Sequence, residues 1–360
     1  MAVKSTDAAE KYLRLTWRRT CFIVLLIVLL LILIPLSASL GTASIGVNDV
    51  LHALLSRLIP SFSCPSLVQL IVWELRLPRI FMAVVAGAAF AVAGVVMQSV
   101  LRNPLASPYT LGVASGAGFG AALAIILGAG IITYRGVTYT NEWLVAVNAF
   151  IFALIPSLVV MGLAKFKGAR PETMILSGIA MMYLFSAGTA LLQYFATPEA
   201  VTAVVFWLFG SLSKATWWRL SVVSVTAVSI TAVLILKFSW DLNALLISDE
   251  GARSLGVDVE LVRLAGIVLS SLLTAIPVCF LGTIGFIGLV APHMTRMVIG
   301  GDHRFLIPAS CLMGAVLLLA ADTVARTIIS PMVLPVGIVT SFMGTPLFFY
   351  LLIRRRKDFW

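Results

Sequence analysis

The stretch WDLNALLISDEGARSLGVDVELVR, residues 240–263, decides the fold. It carries Asp241, Asp249, Glu250, Arg253, Asp258, Glu260 and Arg263 in a chain of which only 11% is charged. The flanking residues 220–236 and 264–295 contain no Asp, Glu, Lys or Arg. Charges this dense cannot lie in hydrocarbon, so the segment is a water-exposed loop between two membrane-buried stretches. Within it Ser248 is placed as a helix N-cap, with Asp249 and Glu250 in the first turn. Asp249 and Arg253 stand at i,i+4, and Gly256 is positioned to end the turn. Val257-Asp258-Val259 then opens a second short helical piece. A loop with this much local order offers surface to a partner.

Working outward, 61% of the chain is hydrophobic and the mean hydropathy is +1.07, which a soluble chain of 360 residues does not sustain. Charge-free runs long enough to span lie at 20–48, 80–101, 103–134, 143–164, 173–198, 220–236, 264–295, 305–321 and 327–353. The run from 264 is too long for one helix and is broken by Gly282, Gly285 and Gly288. Splitting it gives ten spans in an all-α polytopic membrane protein. An even count puts both basic termini on one side, which the positive-inside rule makes the cytosol. The expected division is a cytosolic tail at 1–19, a ten-helix membrane domain at 20–353 containing the cytosolic segment 240–263, and a second tail at 354–360. The net charge of +10 then reflects orientation in the membrane and needs no nucleic acid.

The apolar run after Cys21 exceeds a signal-peptide h-region, so the first span reads as an uncleaved anchor despite Ser37-Ala38-Ser39. Gly112, Gly116, Gly118 and Gly120 follow no strand and precede no Lys. Close helix packing explains them better than a phosphate site. Residues 201–212, VTAVVFWLFGSL, are too short to cross and are expected at the outer interface, with Trp207, Trp217 and Trp218 as anchors. A faint echo between 103–108 and 288–293 suggests two inverted five-span halves.

Arg76 and Arg79 at the outer end of the second span, and Arg326 at the outer end of the ninth, stand where cations are disfavoured. Snorkelling or an anionic docking partner would explain them. Asp322, one turn before Arg326, reads as half of an intramembrane ion pair. The four cysteines and His293 show no metal-ligand spacing, and the chain has no P-loop, no hydrolase elbow and no relay of buried acids.

The stretches LRLPR (75–79), RNPLASP-x-x-LGV-x-x-GAG (102–118), WLFGSL (207–212), LGV (255–257), GFIGLVAPHMTRM (285–297), GDHR (301–304), ADTVAR (321–326) and LPVGIVT (334–340) resemble the permease subunit of ABC importers for iron-siderophores, haem and cobalamin. The resemblance covers residues 20–353. It implies a type II importer at the cytoplasmic membrane. Its permease pairs with a second copy or a close relative, with two cytosolic ATPase subunits that use ATP and Mg, and with an external substrate-binding protein; the permease itself binds no cofactor.

It also implies that Ser248, Asp249, Glu250, Arg253, Leu255, Gly256 and Val257 form the ATPase-coupling segment. Arg76, Arg79 and Arg326 are implied to dock the binding protein. The fifth span, the tenth span and the short outer helix would line the path, with Thr173, Ser177, Met181, Gly337 and Thr340 as candidates. The family often has an acid just before L-P-x-G; here Met332 and Val333 stand there. A ferric siderophore is the expected cargo because it is the family's commonest, with cobalamin or haem as alternatives. A secondary transporter, or a receptor that binds without transporting, is the reading from another class.

Overall fold

The computed structural model describes residues 2–41, 45–57, 64–128, 131–134, 137–140, 142–167 and 170–353. The expected C-terminal tail at 354–360 lies outside them. Helix α1 (Ala2–Ser39) is unbroken over 38 residues. At 1.5 Å per residue it is about 57 Å long, well beyond a hydrocarbon core of about 30 Å. Residues 2–19 of the tail expected at 1–19 thus continue the helix of the first span. After it come α2 (Val47–Leu55) and α3 (Ser66–Val100), the latter with wider turns over Ile71–Arg76. Next are α4 (Val113–Ile126), an antiparallel hairpin of β1 (Ile131–Tyr134) and β2 (Val137–Thr140), α5 (Glu142–Lys167) and α6 (Pro171–Tyr194). The hairpin takes the place of the last residues of the charge-free run 103–134 that the sequence assigns to the third span.

The second half holds α7 (Pro198–Leu208), α8 (Trp217–Leu245), α9 (Asp249–Ser254), α10 (Val259–Leu281), α11 (Ile287–Ile299), α12 (His303–Thr327) and α13 (Val336–Ile353). Among the described residues seven helices are long and apolar enough to cross a membrane: α1, α3, α5, α6, α8, α10 and α12. The shorter α4, α11 and α13 complete ten crossings, while α7 starts and ends on the outer side. Thr197 caps its start by accepting from the Ala200 amide, and Gly210, at φ +68°, turns the chain back.

Burial distinguishes centre from rim. The most apolar window of α3 is 78% buried, that of α1 only 17%, so α3 is the axis and α1 faces lipid. Helix α3 packs on α11 and α12, and α10 packs on α4 and α5. The second and seventh spans thus each pack on the third and fourth spans of the opposite half, as inverted halves require. The matched turns are 101–112 and 282–286, which precede α4 and α11 through Gly112 (φ +88°) and Phe286 (φ +68°). The sequence echo had paired 103–108 with 288–293, but the latter lies inside α11.

Small residues set the spacing, as expected of the third span. A Cβ on Gly116 or Gly120 would overlap the carbonyl oxygens of Phe152 and Asn148 on α5. One anchor is reassigned: Trp207 is 7% exposed and belongs to the core, whereas Trp218 is 63% exposed.

Candidate translocation cavity and coupling surface

At the cytosolic end Ser248 caps α9, its hydroxyl accepting from the Gly251 amide at 2.8 Å. Gly256, at φ +83°, ends the helix, and Val257 N–H donates to Ala252 O at 3.0 Å. That is the six-to-one bond of a Schellman stop. Asp249 does not pair with Arg253. It takes both forks of Arg263 at 2.9 Å and Arg102 Nη2 at 2.7 Å, which tie α9 to α10 and to the 101–112 turn. Asp258 is the N-cap of α10, accepting from Leu261, so the second helical piece expected from sequence is the start of the seventh span itself. With Asp249 turned inward, the water-facing side of α9 shows Glu250, Arg253 and the apolar Leu255, 65% exposed, beside Ile247, 71% exposed.

A second cytosolic knot surrounds Asp302. It binds Arg19 Nη1 at 3.2 Å, Asn243 Nδ2 at 3.0 Å and Arg304, joining α1 and α8 to α12. Burial pushes the Asp302 carboxyl up, but hydrogen bonds from Arg304 and Asn243 outweigh it and hold the group at about 2. It therefore stays charged at any cytosolic pH.

The outer arginines reach into the protein. Arg79 Nε and Nη2 bind Asp322 at 2.8–3.1 Å, and Arg326 Nε binds the same carboxylate at 3.0 Å. The intramembrane ion pair expected from spacing is present, with a second guanidinium added. Arg326 also donates to Leu40 O at 2.8 Å and Ser37 O at 3.0 Å. Arg76 donates to Ser39 O at 3.1 Å and to Ala38 O. Helix α1 ends at Ser39, so these carbonyls are among its last ones, which lack intrahelical donors. The arginines satisfy them. Arg76 and Arg326 are only 6% and 5% exposed, which explains cations on the disfavoured side without invoking a partner. Arg79 keeps one contact toward the surface, Nη1 to Ser213 Oγ at 3.2 Å.

Between these ends lies a cavity of about 830 Å³, bounded by the 101–112 turn, α4, α6, the end of α7 at 208–209, the 283–286 turn, the start of α11, and α13. Its polar groups are uncharged: Ser107, Tyr109, Thr110, Ser115, Ser186, Thr189, Gln193, Thr283 and Ser341. Phe209, Phe286 and Phe342 supply aromatic walls, and among the described residues no Asp, Glu, Lys or Arg lines it. Gly337 lines the cavity, as expected. Thr340 faces a small apolar hollow beside it and donates to Gly337 O at 3.0 Å. Thr173, Ser177 and Met181 lie nearer the start of α6 than its cavity-lining residues Ser186, Thr189, Ala190 and Gln193. Sequence reasoning missed Tyr109 and Gln193; a tyrosine inside the charge-free run after RNPLASP was the available signal.

A family model described as the FecCD transport family matches residues 29–354. The chain belongs to that family. Among FecCD-like relatives, an ABC transporter permease protein of Methanocaldococcus jannaschii, MJ0087, is 46% identical over 98% of this chain and 99% of its own length. The hemin transport system permease protein HmuU of Yersinia pestis is 38% identical over 92% and 95%. A solved metal-chelate type ABC transporter in an inward-facing conformation superposes with a TM-score of 0.80 at 33% identity, covering 92% of this chain and 99% of that one. The FecCD chain described here is therefore a multi-pass transport permease.

Proposed function

We propose that this chain is the membrane-spanning subunit of an ATP-driven importer in the cytoplasmic membrane, and that it carries a bulky metal chelate of the ferric siderophore or haem class. The uncharged cavity of about 830 Å³ carries this reading, because it offers room and hydroxyls to a large weakly polar cargo but no ligand set for a bare ion. The hemin and metal-chelate relatives support the same class. A corrinoid such as cobalamin meets the same criteria. An ion-coupled mechanism finds less support, since Asp322 is held by two guanidinia rather than poised to exchange a proton.

Helices α6 and α13, which line the cavity, also display exposed Tyr194, Phe342 and Phe349. A second copy related by a two-fold axis would cover them, so we take the transporter to be a homodimer. Two ATPase subunits, which bring ATP and Mg, would dock on α9; the chain itself would bind no cofactor. A substrate-binding protein would sit on the outer face, over the rim where Arg79, Ser213 and Lys214 approach the surface.

Proteoliposomes holding the permease with its ATPases and binding protein should take up a ferric siderophore or hemin only with ATP in the ATPase compartment. Uptake by the permease alone under an ion gradient would overturn the reading. Replacing the exposed Leu255 with Asp should weaken ATPase association at least tenfold in pull-down titrations while leaving the permease folded, because that side chain touches little of its own chain.

A further inference from the structure

We propose that the 101–112 turn is a rigid strut, with Tyr109 as its positioning residue, which carries displacement of the coupling helix α9 to the cavity turn at 282–286. The inference rests on the importer reading and specifies how force reaches the cargo chamber.

Both ends of the strut are fastened. At the cytosolic end Arg102 binds Asp249 of α9 at 2.7 Å and donates through Nε to Leu245 O at 2.9 Å, while Arg263 donates to Val100 O at 3.1 Å. At the deep end the Tyr109 hydroxyl donates to Ile284 O at 2.5 Å and accepts from Ile284 N–H at 2.9 Å. One phenol oxygen thus occupies both polar groups of a single residue in the opposite turn. The Tyr109 ring also meets Phe90 edge-on, with centroids 6.5 Å apart. Phe90 lies ten residues before Val100 on α3, so the strut reaches about 15 Å into the bundle.

The span between is stiff. Ala106 N–H donates to Asn103 O and Leu105 N–H to Asn103 Oδ1; Ser107 and Thr110 exchange hydrogen bonds in both directions; and Gly112 N–H returns to Tyr109 O. Arg102 itself sits at φ +45°, a conformation a non-glycine residue keeps only where its surroundings fix it. The receiving turn is held just as closely. Ser211 N–H donates to Leu281 O at 2.7 Å, Thr283 bonds Leu208 O, and Gly337 N–H approaches Gly210 O at 3.4 Å. Moving Ile284 therefore shifts the walls contributed by 208–210 and by the start of α13. A shared pair of fixed ends is a physical link, and coupling along it is measurable.

The test uses two reporters in the full complex with ATPase subunits in nanodiscs, with the native cysteines replaced. Gly285→Cys sits in the receiving turn, where an added Cβ meets nothing within 4 Å. Ser254→Cys sits on exposed α9. Thiol-labelling rates are compared with and without trapped nucleotide.

With Tyr109 present, nucleotide should change both rates at least fivefold. In Tyr109→Phe, which keeps the ring but removes both hydrogen bonds, the Ser254→Cys response should persist and the Gly285→Cys response should fall below twofold. Survival of the Gly285→Cys response in Tyr109→Phe would overturn the strut alone. Loss of both responses in that variant would also overturn it, by making Tyr109 a general structural residue. No nucleotide response at Ser254→Cys in the parent complex would overturn the importer reading and the strut with it.

Discussion

Replacing Asp322 with Asn should destabilise the permease more than any other single polar substitution in its outer half, by about 3–5 kcal/mol. The carboxylate is fully buried, and among the described residues it alone pairs with Arg79 and Arg326, whose side chains are 12% and 6% exposed. Without it two guanidinia are left close together in a medium that cannot solvate them. Arg326 would then lose the contact that aims it at the last carbonyls of α1. Thermal unfolding of the detergent-solubilised protein is the measurement. A midpoint for Asp322→Asn equal to that of the parent would show that the arginines hold α1 without help from the acid.

A comparable loss is expected from one added methyl group. A Cβ at position 94 on α3 would overlap the Gly288 carbonyl oxygen on α11 and stand 3.0 Å from Pro292 Cγ. Backbone cannot yield as a side-chain tip can, so the two helices must separate. Gly94→Ala should cost toward the upper end of the about 1–3 kcal/mol typical of overpacking. The internal control is Gly162→Ala on α5, where nothing stands within 4 Å and alanine is the better helix former by about 1 kcal/mol. It should match or exceed the parent in the same unfolding assay. Equal stability of the two variants would mean that the α3–α11 crossing is looser than its geometry implies.

Membrane architecture was legible because it depends on where charge is absent. The charge-free runs give ten crossings, and the glycines at 282, 285 and 288 give the break between the seventh and eighth. Helix ends were less legible: α1 runs on into the cytosol because neither lysine nor arginine interrupts a helix, only its stay in lipid.

The arginines show where sequence spacing stops being informative. Position and sign marked Arg76, Arg79 and Arg326 as unusual, but which way a guanidinium turns depends on acceptors brought near by folding. These are the end of α1, about 40 residues before Arg76 and nearly 300 before Arg326. Asp249 makes the same point. The near neighbour Arg253 was available on the helix, yet the folded chain supplied Arg263 and Arg102, and the one left over faces water.

The neutrality of the cavity has an energetic corollary for its passenger. A chamber walled by hydroxyls and phenyl rings cannot offset the self-energy of an ion leaving water, and that barrier grows with the square of the net charge. Among complexes of equal size, those whose ligand shell cancels the metal's charge should cross fastest. Because no fixed charge awaits them inside, adding salt should leave this intrinsic preference untouched.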